Sequence, residues 1–177
     1  MGLPCNSALG VLVLTAIAVA SAPTAVLANG PMPIDGTFAV SFMAPSAEAP
    51  NYCAINGTSG TAIEAQGIGK MSGPLGPLFL TIKKCRSGNT YAGAFTMTAG
   101  NGARLSGTYA GTHDSVGANG FGSFHGTLTV TEGTGRFRHA RGVLSFTAVG
   151  SPASTGATPN TVNGAAYYLV QGNMLSR

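Results

Sequence analysis

The chain lacks tryptophan, and among its 177 residues it has only three histidines and five acidic residues, with charged residues making up 8%. Each scarcity removes a class of function. Nucleic-acid recognition needs a concentrated basic face with aromatics on which bases stack. Here the nine Lys and Arg form no basic tract or helix, and the net charge is a thin +4. Acid–base catalysis needs positioned carboxylates or imidazoles, and few exist. His113, His125 and His139 stand far apart, with no second ligand at the spacing of a metal motif, so no metal or cofactor is expected. No Gly-x-Ser-x-Gly elbow occurs to supply a serine nucleophile. A 3.6-residue apolar stripe is also missing beyond residue 28, and the 27 glycines recur too often for long helices.

The one long apolar run lies at the start. Ser7 to Ala22 is uncharged and built mostly of Ala, Val, Leu and Ile, Pro23 breaks a helix, and Val26-Leu27-Ala28 sets small residues where a signal peptidase reads. Residues 1–28 are therefore read as a secretory signal and residues 29–177 as a single domain. The n-region carries no Lys or Arg, and Ser7 to Ala28 is long enough to span a bilayer, so an uncleaved anchor is the alternative. After cleavage no membrane contact is expected, and the localisation is secreted, periplasmic or extracellular. Cleavage leaves two of three cysteines, Cys53 and Cys85; an even count in an exported chain predicts one disulfide between them. Asn56-Gly57-Thr58 is a formal glycosylation sequon, relevant only in a eukaryotic source.

What remains has a period of two. Phe38, Val40 and Phe42 alternate with small or polar neighbours, as do Leu78, Leu80 and Ile82, Phe95 and Met97, and the run from Phe124 to Thr131. Alternation of this kind marks half-buried strands. Asn101-Gly102 joins two of them as a tight hairpin. Eight strands are predicted near 34–42, 57–69, 75–85, 91–98, 104–112, 122–131, 142–149 and 165–174. The fold class is all-β: an eight-stranded antiparallel β-barrel, with a two-sheet β-sandwich as the alternative.

The segment Gly133-Thr-Gly-Arg-Phe-Arg-His-Ala-Arg-Gly142 resembles the Gly-Thr-Gly-x-Phe-Arg-x-Ala-Arg-Gly stretch of dirigent proteins, and allene oxide cyclases have a looser version of it. Gly76-Pro-Leu78 leading to Cys85, and Thr98 to Thr112, are similar to a group of exported bacterial proteins of the same barrel type. The likeness covers roughly residues 60–174. It implies an eight-stranded antiparallel barrel and, from the plant relatives, trimers. Dirigent proteins steer radical coupling or eliminations with acidic, Arg and Tyr groups inside the barrel. Their N-terminal strand brings an acidic pair that Phe42-Met-Ala-Pro-Ser-Ala-Glu48 lacks, so the resemblance carries over no catalytic residue.

Within the ten-residue segment, Gly133, Gly135, Phe137 and Gly142 are read as a structural turn: the glycines set it, Phe137 plugs a barrel end, and Arg136, Arg138 and Arg141 snorkel outward. Lys83, Lys84 and Arg86 are read as a solvated strand end, and His113-Asp114 as a turn whose Asp bonds nearby N–H groups. Tyr91, Tyr109, Tyr167 and Tyr168 are read as packing residues with hydroxyls toward water, though they could line a cavity. Most acidic residues fall at strand ends; Glu64 is mid-strand. The ligand-binding candidates for the lumen are thus Glu64, Phe95, Tyr109 and Leu128. The expected function is a non-catalytic binding or structural module with an apolar lumen, taking a small apolar ligand and standing as a monomer or homo-oligomer. The alternative is a dirigent-like or cyclase-like enzyme steering a small apolar substrate.

Overall fold

The computed structural model of the protein describes residues 30–43, 53, 57, 60–114, 116–118, 120–151, 154–155 and 162–175, with backbone alone at 154–155 and 162–163. The apolar segment 1–28 with its cleavage site, Glu48, and Asn56 and Thr58 of the sequon lie outside the described residues.

Seven strands follow one another: β1 (Met32–Met43), β2 (Thr61–Met71), β3 (Gly76–Ser87), β4 (Thr90–Ala99), β5 (Arg104–His113), β6 (Gly122–Gly133) and β7 (Arg141–Gly150). A short ribbon of β8 (Ser154–Thr155) and β9 (Val162–Asn163) precedes the last long strand, β10 (Ala165–Leu175). The eight long strands close into one barrel in the order β1-β10-β7-β6-β5-β4-β3-β2, every pairing antiparallel. β1 bonds to both β2 and β10, so the sheet has no edge, which settles the architecture as a barrel and not a sandwich.

The pleat decides which residues face inward. Along β7, Leu144, Phe146 and Ala148 are buried while Val143, Ser145, Thr147 and Val149 are exposed. The lumen is filled by such side chains: Phe38, Ile82, Met97, Leu105, Leu144 and Val170 have no accessible surface. No water-sized void can lie against them. Glycine makes room for the larger rings. A Cβ added at Gly111 or Gly126, on facing strands, would stand 2.9 or 2.8 Å from the tip of the Phe146 ring.

One end of the barrel is shut by apolar groups. Two single 3-10 turns, Gly73–Leu75 and Gly135–Phe137, bury Leu75 and Phe137 in the core. Arg136 donates from Nη2 to the Leu75 carbonyl at 2.9 Å and lays its guanidinium 4.8 Å from the Phe137 ring centre, tying the two turns together. Gly135 has φ +57°, where a side chain is strained. Gly133 is different: its φ is ordinary, but a Cβ there would overlap the Phe137 carbonyl oxygen. Gly142 likewise sits where a Cβ would crowd the Asn173 backbone of β10.

Outside the barrel, Cys85 of β3 is bonded to Cys53, with Cα atoms 5.5 Å apart. The bridge fastens the connection between β1 and β2 to the outer face of β3. A disulfide of this kind fits an oxidising compartment.

Candidate functional site

The opposite end of the barrel is not purely apolar. On β3, Leu78, Leu80 and Ile82 point inward, and the same alternation carries Lys84 inward as well. Its ammonium is enclosed by rings from four strands: Nζ lies 4.2 Å from the centre of Tyr91 (β4), 4.9 Å from Phe42 (β1), 5.1 Å from Tyr109 (β5) and 5.9 Å from Phe124 (β6). Lys84 is 1% exposed and its Nζ has no hydrogen-bond partner.

A second buried nitrogen is unsatisfied beside the same rings. His113, the last residue of β5, packs 5.6 Å from Tyr91 and 6.2 Å from Phe124, centre to centre. Its Nδ1 lies 3.0 Å from the main-chain oxygen of Asp114. That oxygen can only accept, so Nδ1 carries the proton, and in the neutral ring Nε2 offers a lone pair. Nε2 has no partner. A donor and an acceptor are thus both left open at one end of an otherwise apolar interior, and each such buried group calls for an explanation.

Burial sets the protonation of Lys84 and of the buried tyrosines. It drives the Lys84 amine down from 10.5 to about 7, with the Arg86 charge two residues along β3 adding to the effect. The surrounding ring faces act the other way, because they favour the cation. Tyr109 and Tyr168 bring their hydroxyls within 3.4 Å of each other, and both pack on Phe146, which stacks on Tyr109 at 5.0 Å and lies 5.3 Å from Tyr168. Burial raises Tyr109 well above 10, helped by Tyr168, and raises Tyr168 to about 12. Both phenols therefore stay neutral and can serve as hydrogen-bond donors but not as bases near neutral pH.

The residues singled out from sequence are distributed unevenly over this arrangement. Phe95, Tyr109 and Leu128 are buried in the lumen, and Tyr109 belongs to the cage around Lys84. Phe95 and Leu128 lie in the packed interior. Glu64 does not enter the lumen. Ile63 and Ala65 on either side of it point inward, so Glu64 faces outward, with its carboxylate 3.9 Å from Lys83 of the neighbouring strand. Lys84 corrects the reading of a solvated strand end: only Lys83 and Arg86 are partly open to water there. Of the four described tyrosines, Tyr91, Tyr109 and Tyr168 are buried and Tyr167 is exposed. His113 and Asp114 do not form an acid–base pair, since the Asp114 carboxylate is bonded to the Ser123 hydroxyl and lies 3.9 Å from His125. Among the described residues no group of three or more His, Cys, Asp or Glu could hold a metal. The signal that could have found Lys84 was present: one more step of the Leu78-Leu80-Ile82 alternation.

Compared with known protein families, curated proteins and solved structures, the chain matches none.

Proposed function

We propose that this protein is an extracytoplasmic, non-catalytic β-barrel that receives a small, mostly apolar molecule at the Lys84 end of its lumen. The observation that carries the reading is the pair of unsatisfied nitrogens, Lys84 Nζ and His113 Nε2, among the rings of Phe42, Tyr91, Tyr109 and Phe124. A guest with an apolar body and one polar group would replace a ring–ring contact and complete the hydrogen bonding of Nζ, which an apolar core residue would not need. The apolar N-terminal segment and the Cys53–Cys85 bridge support export. The closed eight-stranded barrel and the place of Gly133–Gly142 at its sealed end support kinship with the dirigent and allene oxide cyclase type. The scarcity of interior carboxylates weighs against an enzyme of that type.

The test is calorimetry with benzyl alcohol on the wild type and on Lys84→Met. The wild type should bind, and the variant should bind at least tenfold more weakly while melting at a higher temperature, because a buried orphan amine has been replaced by a side chain of similar shape. Equal binding by both, no binding by the wild type, or a lower melting point in the variant would each reject the reading; the last would make the amine a structural element.

Self-association is part of the proposal. Phe79, Ile68, Ala39, Tyr167 and Val149 stand directly opposite one another across β3, β2, β1, β10 and β7, forming one uncharged outer row. Four of them are large and 41–70% exposed. In a chain with few charges and a net charge of +4, this charge-free row is the face that a second copy can share with least repulsion.

A further inference from the structure

We propose that the Lys84 amine captures a small apolar aldehyde as an imine, with His113 relaying the proton, so that the barrel is a carbonyl-binding protein and not merely a hydrophobic one. The inference rests on the reading above, that this end of the lumen admits a guest, and adds the chemistry of that guest.

The amine is given ring faces but, among the described residues, neither a carboxylate nor an acceptor oxygen. A buried lysine retained as a charge would be expected to meet a carboxylate or several acceptor oxygens. Lys84 meets four rings and no acceptor. Among the described residues, the titratable or charged groups around it are Tyr91 on the adjacent strand β4, Tyr109 and His113 on β5, and Arg86 on its own strand; Phe42 and Phe124 bring none. Both phenols are held neutral by burial, and Arg86 repels the ammonium. With the amine held down at about 7, roughly half of it carries a free lone pair at neutral pH, which an ordinary lysine near 10.4 does not. The aromatic walls select an aldehyde with an apolar or aromatic body, and His113 Nε2 is the open acceptor against the same rings.

The step balances without any other reagent. The Nζ lone pair forms a bond to the carbonyl carbon while the C=O π pair moves to oxygen. A proton then passes from nitrogen to that oxygen through His113 Nε2, giving a neutral carbinolamine. His113, carrying at Nε2 the proton that the Lys84 ammonium gives up on becoming the free amine, donates it to the hydroxyl, and the nitrogen lone pair expels water to form an iminium C=N. The iminium then returns its proton to Nε2, leaving the neutral imine. One aldehyde and one amine become one imine and one water, with no oxidation or reduction. Because Nζ is sealed from solvent, capture is only as fast as the end opens, so trapping should be slow and selective.

The chain supplies its own controls, since its only other lysines are Lys70, exposed, and Lys83, partly exposed on the outer face. The experiment incubates the full chain at pH 7 with benzaldehyde and cyanoborohydride, which reduces an imine to a stable secondary amine, and maps the labelled peptides by mass spectrometry. Most label on Lys84 in the wild type, and its loss in Lys84→Met with Lys70 and Lys83 labelled as before, supports capture. Label confined to Lys70, Lys83 or the α-amino group, while benzyl alcohol still binds, overturns the imine and leaves the binding reading standing. No Lys84 label together with no benzyl alcohol binding overturns both.

Discussion

An ammonium group walled by four rings and given no acceptor is held between opposing effects: burial disfavours the charge, and the ring faces favour it. For Lys84 burial dominates, lowering it to about 7. The consequence for stability has a definite sign. Below pH 7 folded and unfolded chains both carry the proton and the penalty is constant. Between about 7 and 10.5 the unfolded chain keeps a proton that the folded chain has shed, so stability rises with pH. At about 1.4 kcal/mol per pH unit the gain has a ceiling of about 5 kcal/mol. Tyr109 and Tyr168 act in the opposite sense: with pKa values raised in the folded barrel, their contribution is complete below about 10 and is lost as pH climbs toward 12. Thermal melts should therefore show a maximum between pH 9 and 10, and in Lys84→Met the rise from pH 7 should vanish while the alkaline fall remains. A flat wild-type profile over pH 7–10 would mean that the amine keeps its proton.

At the scale of the element, the two ends of the barrel are built on different terms. The end with Gly133–Gly142 is a structural closure: Phe137 is buried, Gly135 has φ +57°, and a Cβ there would meet the Ala103 Cβ at 3.0 Å. Gly135→Val should cost about 1–3 kcal/mol, from backbone strain and the Ala103 contact together. Phe137→Ala should cost about 3–5 kcal/mol by leaving the end unfilled. Arg138 is exposed, so Arg138→Ala should stay within about 0.5 kcal/mol. Urea titrations rank the three; an Arg138→Ala variant as unstable as Phe137→Ala would move the structural role to the arginine. The other end has His113 where a strand finishes and Lys84 one pleat from the end of β3, so polar groups can occupy the lumen without interrupting the packed layers below.

For the whole molecule, closure of the sheet supplies most of what a chain with so few charges needs, since no edge is left to pair with another copy. The Cys53–Cys85 bridge, with 32 residues of sequence separation, adds about 3–4 kcal/mol by restricting the unfolded chain. Reduction should lower the melting temperature without changing the far-ultraviolet spectrum of the folded protein at room temperature; an unchanged melting temperature would show the bridge to be energetically idle. Light scattering of the purified chain should give a homo-oligomer, and Ile68→Glu, which sets a carboxylate in the outer apolar row, should shift it toward monomer by at least tenfold in dissociation constant. A monomeric wild type would leave that row without a role in self-association.

Much of this architecture was legible in the residues because strand periodicity is a local property. Phe38-Val40-Phe42, Phe124-Leu128-Val130 and their like fixed the strands, the inward face and the expectation of a barrel, and the two cysteines beyond the apolar N-terminal run predicted the bridge that pairs Cys53 with Cys85. What sequence could not supply was the balance of a face against its neighbours. Glu64 looked like an interior carboxylate because it is mid-strand, yet register sets it on the outer side against Lys83. Lys84 looked solvated because it stands in a run of three cations around Cys85, yet the pleat turns it into rings contributed by β1, β4, β5 and β6. Residues 42, 84, 91, 109 and 124 become neighbours only when the sheet closes, and no spacing along the chain encodes that meeting. Local periodicity determined the strands and their faces; barrel closure alone decided which polar groups were sealed inside, and so where chemistry is available.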